Sequence, residues 1–135
     1  MIIQQVPIDF IQQAWKLVEK YVADALQYGQ GDYTVEQAKV YITSGSWVLY
    51  VAVDEHNQIR GAACVRFDNM PNARVAFVVT IGGRLMTGPD TWGQFTELLR
   101  QRGATRVEGA VRPSMAKLWE RYGAAEKYRI LGVSL

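Results

Sequence analysis

Trp47 to Val53 reads Trp-Val-Leu-Tyr-Val-Ala-Val, seven apolar or aromatic side chains in a row that favour extended backbone. Side chains of a strand point alternately to its two faces, so a run without a polar member needs cover on both. This segment predicts a central strand with a layer packed on each side. Most of the remaining chain can be read as supplying those layers and the neighbouring strands.

Between Pro7 and Gln27, the residues Ile8, Ile11, Trp15, Val18, Val22 and Ala25 recur at spacings of 3 and 4, one apolar stripe on a helix with Pro7 suited to its first turn. The stripe is too short for a coiled coil. Gly29-Gln30-Gly31-Asp32 breaks it, and Thr34-Val35-Glu36-Gln37 fits a capping box that opens a second helix ending near Ser44-Gly45-Ser46. After the central strand, Asp54 to Gln58 is a polar turn and Ile59 to Phe67 its hairpin partner. Asn69 to Asn72 turns again, and Arg74 to Ile81 forms a third strand.

The rest alternates. Helix is predicted from Pro89 to Gln101 with Trp92, Phe95, Leu98 and Leu99 on one side, and strand from Thr105 to Val111. A further helix runs from Pro113 to Tyr122, with Met115, Leu118, Trp119 and Tyr122 on one face. Gly123 stops it, and Lys127 to Leu135 reads as a final strand. The expected order is α-α-β-β-β-α-β-α-β: a single-domain α/β sandwich over residues 1–135, built on a mixed, mostly antiparallel sheet flanked by helices.

Composition agrees with that class. Of 135 residues, 49% are hydrophobic and 21% charged, the balance of a globular core and not of a disordered chain. No apolar run approaches the ~20 residues that cross a bilayer, so no membrane partner is expected. Met1 to Phe10 has no Lys or Arg ahead of an apolar stretch, so it does not read as a secretory signal. Cys64 is alone and cannot form an internal disulfide, and no Cys/His cluster offers a zinc site. The expected compartment is the reducing cytoplasm.

Charge is uneven: residues 1–83 carry 6 basic and 8 acidic side chains, and residues 84–135 carry 9 and 5. The basic second half suits a phosphate-bearing ligand or a solvated face. Its Lys and Arg residues are dispersed without a motif, so nucleic acid is not an expected partner.

The element order, in a chain this short, resembles the GNAT superfamily of N-acetyltransferases. Ala104 to Ala125 is similar to the strand, helix and turn near that family's C-terminus, with Leu118-Trp119-Glu120-Arg121-Tyr122-Gly123-Ala124 in the register of its Leu-Tyr-Glu-Lys-x-Gly-Phe. Ile59-Arg60-Gly61-Ala62-Ala63, after a polar turn, resembles the family's second hairpin strand.

The resemblance implies acetyl transfer from acetyl-CoA to an amine on a small molecule or protein. Such chemistry asks for a grip on the cofactor's pyrophosphate, a base for the amine, a donor for the oxyanion and an acid for the departing thiolate. The family's cofactor loop falls on Ile81, Gly82, Gly83, Arg84, Thr87 and Gly88. The loop departs from the pattern: Arg84 and Gly88 are four apart instead of three, Pro89 removes an amide donor, and Asp90 would repel a phosphate. Without a ligand, the same stretch reads as a strand end, a connector and a Pro-initiated helix.

Trp119 stands where the family has its Tyr acid, and an indole N–H cannot protonate a thiolate; Tyr122, one turn on, is the candidate acid or else a core aromatic. Arg112 takes the usual Asn place, and Met115, in the usual Ala place, is bulky enough to close the slot for the pantetheine arm. No carboxylate lies in Arg74 to Ile81, so Glu108 on the next strand is the candidate base, or else an exposed strand residue. His56 sits in a turn and reads as solvated, and Cys64 as a small apolar filler. The loop from Tyr28 to Tyr33 and the turn from Asn69 to Asn72 are candidate walls for the acceptor.

These departures carry a second reading. Compact GNAT-like chains occur in bacteriophages, some associated with the virion, and this chain resembles that group. It would then keep the fold without the chemistry and act as a binding or structural component, as a homo-oligomer or with a protein partner.

Overall fold

The central run forms a strand whose seven residues are all buried. The structure, a computed structural model, describes residues 1–86 and 88–135, with the backbone alone at Met86. Its strands are β1 (Ile2–Gln5), β2 (Trp47–Val53), β3 (Ile59–Met70), β4 (Ala73–Gly83) and β5 (Arg106–Gly109), and its helices are α1 (Ile11–Leu26), α2 (Val35–Thr43), α3 (Pro89–Gln101) and α4 (Pro113–Glu120). Short 3-10 turns at Ile8–Phe10 and Arg84–Met86 lead into α1 and out of β4. The strands form one sheet in spatial order β1-β2-β3-β4-β5, antiparallel except for the parallel β4–β5 pair.

The alternation of β2 divides two cores. Trp47, Leu49, Val51 and Val53 meet Ile11, Trp15, Val18 and Val22 of α1 and Ala38 and Ile42 of α2. Val48, Tyr50 and Ala52 meet Phe95 and Leu99 of α3 and Trp119 of α4. Fully burying a side chain of this size stabilises by about 1.5–3 kcal/mol. Both layers are therefore needed to use the strand. The Tyr50 ring meets Phe95 edge-on at 5.5 Å, and burial pushes its hydroxyl pKa up to about 12.

Local signals hold where they are strong. The α1 stripe buries Ile11, Trp15, Val18 and Val22. At the start of α2 the Gln37 amide donates to Thr34 Oγ1 at 3.1 Å, and the Thr34 amide donates to Gln37 Oε1 at 2.9 Å. Pro89 opens α3 and Pro113 opens α4. Among the described residues, no helix is long and apolar enough to cross a membrane.

The two ends differ from the expected order. β1 precedes α1 and pairs with β2 from Ile2↔Val53 to Gln5↔Tyr50. It is short and half polar, and its strand character comes from that pairing and from Gln94 of α3, whose Oε1 accepts from the Ile3 amide at 2.9 Å. At the other end, the strand expected over Lys127 to Leu135 is not formed; residues 124–135 adopt no regular secondary structure and pair with no strand. Their β-favouring side chains find no complement within this chain. β5 and α4 are each shorter than predicted, ending at Gly109 and Glu120.

Candidate functional site

A single extra residue shapes the middle of the sheet. Cys64 pairs with Thr80 and Val65 with Val78, which leaves Val79 as a bulge on β4. Bulges bend and over-twist the strand that carries them. On the other side of β4, the ladder to β5 ends at Val78↔Gly109. From there β4 continues beside β3, while the chain leaves β5 through Ala110, Val111 and Arg112. The two strands part, and a cleft of about 550 Å³ opens between them. That volume suits a small-molecule site.

Each wall comes from a different element. Val79, Thr80 and Ile81 present the strand edge that β5 no longer covers, and Ala110 to Arg112 stand opposite. Met115, Leu118 and Trp119 of α4 form an apolar side. Tyr21, Asp24 and Ala25 of α1 form the remaining wall with Tyr28, just past that helix. The Arg112 guanidinium lies 3.8 Å from the centre of the Tyr28 ring, a cation–π strap between the start of α4 and the end of α1.

Two glycines explain how closely the backbone packs here. Gly83 has φ of +67°, and a Cβ on it would fall on the Arg60 carbonyl and the Gly61 Cα. The close approach at Gly83 is thus to β3 itself. A Cβ on Gly109 would lie 2.8 Å from Trp119 Cη2, so Gly109 makes room for the indole on β5. Trp119 is buried, and its Nε1 has no hydrogen-bond partner among the described residues. The ring borders the cleft, but the N–H is covered by protein.

The sequence-derived candidates divide. Ile81, Gly82 and Gly83 line the cleft, as do Arg112, Met115 and Trp119 from the family-like segment. Arg84 is exposed and borders a neighbouring hollow with Asp54, Glu55, His56 and Arg60. Gly88 is the extended cap of α3, and Thr87 lies outside the described residues.

Glu108 and Tyr122 are not among the residues lining the cleft. Glu108 accepts from Lys127 Nζ at 2.8 Å and pairs with Arg106 Nε at 2.8 Å. The Lys127 hydrogen bond, reinforced by Arg106, holds the Glu108 pKa below the usual carboxylate range. Tyr122 stacks on Trp92 with ring centres 5.3 Å apart, inside the α3–α4 core. Burial pushes the Cys64 thiol up to about 11, as expected of a filler.

The sequence places Ala25 in the apolar stripe and Tyr28 in a candidate acceptor loop; Tyr21 and Asp24 of the α1 wall are not marked out there, although a signal for them exists. Tyr21, Asp24, Ala25 and Tyr28 stand at i, i+3, i+4 and i+7, a polar-aromatic face beside the buried stripe. Asp24 is the one carboxylate among the residues lining the cleft. Of the two proposed acceptor walls, Tyr28 borders the cleft, whereas Asn69 to Asn72 form the β3–β4 hairpin tip and do not. Among the described residues, no group of 3 or more His, Cys, Asp and Glu side chains gathers as a metal site.

The whole architecture has counterparts among solved structures. A probable acetyltransferase superposes with a TM-score of 0.71 at 17% identity, covering 100% of this chain and 97% of its own. The fold is that of the GNAT superfamily. An aminoglycoside acetyltransferase from an uncultured soil metagenomic sample, in complex with sisomicin, gives a TM-score of 0.69 at 13% identity over 98% of this chain and 95% of its own. A ribosomal-protein-alanine N-acetyltransferase from Brucella melitensis biovar Abortus 2308 gives 0.66 at 12% identity over 100% of both chains. No family model and no curated protein matches the chain by sequence. The GNAT likeness is therefore one of backbone more than of residues.

Proposed function

We propose that the chain is a GNAT-type N-acyltransferase that takes acetyl groups from acetyl-CoA and passes them to an amine. The observation that carries this reading is the cleft cut between two parallel strands, where a bulge at Val79 and the end of the β4–β5 ladder leave a strand edge open.

The cleft fits one part of the cofactor better than the other. An open strand edge offers backbone donors and acceptors to an extended amide-bearing arm, and the adjoining apolar side chains exclude water from it. The start of α3 is a poorer seat for a diphosphate, since Pro89 has no amide hydrogen and Asp90 puts a negative charge in the first turn. Acetyl-CoA would supply an activated thioester carbonyl.

Within this reading, Val79, Thr80 and Ile81 orient the thioester arm along β4, beside Gly82 and Gly83. Met115 and Trp119 limit its width. Asp24, the carboxylate on the α1 wall, attracts the cationic acceptor and brings its nitrogen to the cleft. Glu108 is held ionised by two cations away from the cleft, and Tyr122 is stacked in the core, so neither is placed as a base or acid. Positioning of an already activated acyl group then carries much of the rate. The sisomicin complex of the aminoglycoside acetyltransferase supports an acceptor of the small-amine class.

The test is a melting curve with acetyl-CoA and CoA, paired with thiol release on addition of amines. Ligand at a hundredfold excess over Kd should stabilise by about 2.7 kcal/mol. No shift at millimolar acetyl-CoA would remove the enzyme reading and leave a GNAT-fold binding component, which the placement of Glu108 and Tyr122 outside the cleft already favours as the second choice.

A further inference from the structure

The α1 wall of the cleft holds a carboxylate that the chain itself leaves unpaired. Tyr21, Asp24 and Tyr28 follow one another at about one helical turn and all line the cleft. The helix crosses β4 at Tyr21, since a Cβ on Gly82 would lie 3.3 Å from the Tyr21 carbonyl oxygen. At the rise of an α-helix, Asp24 sits about 4.5 Å and Tyr28 about 10 Å along the axis from that crossing. Both rings already hold cations of the chain: Lys20 Nζ lies 5.0 Å from the centre of the Tyr21 ring, and the Arg112 guanidinium 3.8 Å from that of Tyr28. Between them, Asp24 makes no ion pair and no side-chain hydrogen bond among the described residues.

We infer that Asp24 and the Tyr28 ring form a subsite for a fixed positive charge, and that the acceptor is a short diamine: one nitrogen stays charged on this subsite while a second, neutral nitrogen reaches the open edge of β4. The inference rests on the acetyl-transfer reading above and narrows it. An ammonium has no lone pair with which to attack, and a carboxylate beside it favours the charged form. A nitrogen seated on Asp24 is therefore not the one that is acetylated. The reacting nitrogen has to lie further in, by Val79 to Ile81, where the apolar Met115, Leu118 and Trp119 favour an uncharged amine.

Arg112 adds to the selectivity. Its guanidinium shows that the Tyr28 ring takes a cation, and a ligand cation that displaces it regains a contact that a neutral group does not. In the transfer, the lone pair of the second nitrogen forms the C–N bond to the acetyl carbon. The C–S bond breaks with its electron pair on sulfur, and the proton lost by nitrogen passes through water to that thiolate. The products are a mono-acetylated diamine and the free CoA thiol, and the charged nitrogen on Asp24 is unchanged throughout.

The experiment compares 1,4-diaminobutane with 4-aminobutan-1-ol, which has the same length and one nitrogen, on the full chain at about 0.15 M salt. Calorimetric titration without acetyl-CoA reads the subsite alone. The diamine should bind about tenfold more tightly than the amino alcohol, the combined scale of an exposed ion pair and a cation–π contact. Asp24→Asn and Tyr28→Ala should each remove most of that preference, and Tyr28→Phe should keep it. Arg112→Ala clears the ring and should tighten diamine binding, which a merely structural strap would not produce. With acetyl-CoA present, thiol release should rank the two amines in the same order. The inference is overturned if the two amines bind alike, if the preference survives both Asp24→Asn and Tyr28→Ala, if Arg112→Ala weakens diamine binding, or if both amines release thiol equally. Selective diamine binding without thiol release from any amine would instead strike the acetyl-transfer reading, and the acceptor role with it, while keeping the cation subsite.

Discussion

The contact between Gly109 and Trp119 offers the sharpest test of how the cleft is held open. In Gly109→Ala, the new methyl would lie 2.8 Å from Cη2 and 3.1 Å from Cζ2 of the indole. Carbon atoms in van der Waals contact prefer about 3.5–4.0 Å. The ring must therefore move by about 0.5–1 Å, and it is packed by Trp92 at 5.6 Å between ring centres. Overpacking of this kind costs about 1–3 kcal/mol. Replacing glycine returns about 0.4–1 kcal/mol through the unfolded chain. The net expectation is a loss of about 1–2 kcal/mol, measured by urea unfolding followed through Trp fluorescence. The cause is isolated by repeating the change in a Trp119→Phe background, where the far edge of the indole is gone. The penalty should shrink there by about 1 kcal/mol, the scale of coupling between touching residues. If Gly109→Ala costs nothing, or costs the same in the Trp119→Phe background as in the parent chain, the claim that this glycine seats the ring is wrong.

Three further outcomes follow from the same geometry. Gly83→Ala places a methyl onto the Arg60 carbonyl at a φ of +67°, and the summed clash and left-handed strain should cost about 3 kcal/mol in a denaturant titration; a cost below that of an ordinary surface change would contradict the tight crossing of β3 and β4. Thr34→Ala removes one half of the α2 capping box and should cost about 1 kcal/mol, with faster amide exchange confined to the first turn of that helix, while Thr34→Ser should retain most of the stability. Asp54 accepts from the amides of Gln58 and His56 and from Arg60 Nε, and these bonds, Gln58 first, lower its pKa to about 2. Because the folded value is depressed, its stabilisation is present above the ordinary value of about 3.9 and fades as pH falls towards the folded one. The melting difference between parent chain and Asp54→Asn should close in that window, and a difference that stays constant with pH would refute the assignment.

Much of the scaffold was legible because its causes are local. Seven apolar residues from Trp47 to Val53 demand two covered faces whatever surrounds them, and the α1 stripe and the Thr34 box act within one or two helical turns. The bulge at Val79 left no trace of that kind. Val75 to Ile81 is a run of β-formers broken only by Ala76, and the extra residue exists only in the register between β3 and β4. β1 is invisible for a similar reason, since Ile2 to Gln5 becomes a strand by pairing with β2. Residues 127–135 carry the composition of a strand without a partner in the same chain. The site was half legible. Ile81, Gly82 and Gly83, expected from the family resemblance, line the cleft, but Asp24, Tyr21 and the Arg112–Tyr28 strap come to it only once α1 and α4 are folded over the sheet.

The bulge at Val79 lies in the register of the main chain and not in the identity of any one side chain. An opening cut by main-chain register survives the replacement of nearly every side chain around it, so the architecture can outlast its motifs. Deleting one residue from β4 would do what substitutions cannot: it would restore an unbroken β3–β4 register and take out the extra twist of the strand edge that lines the cleft.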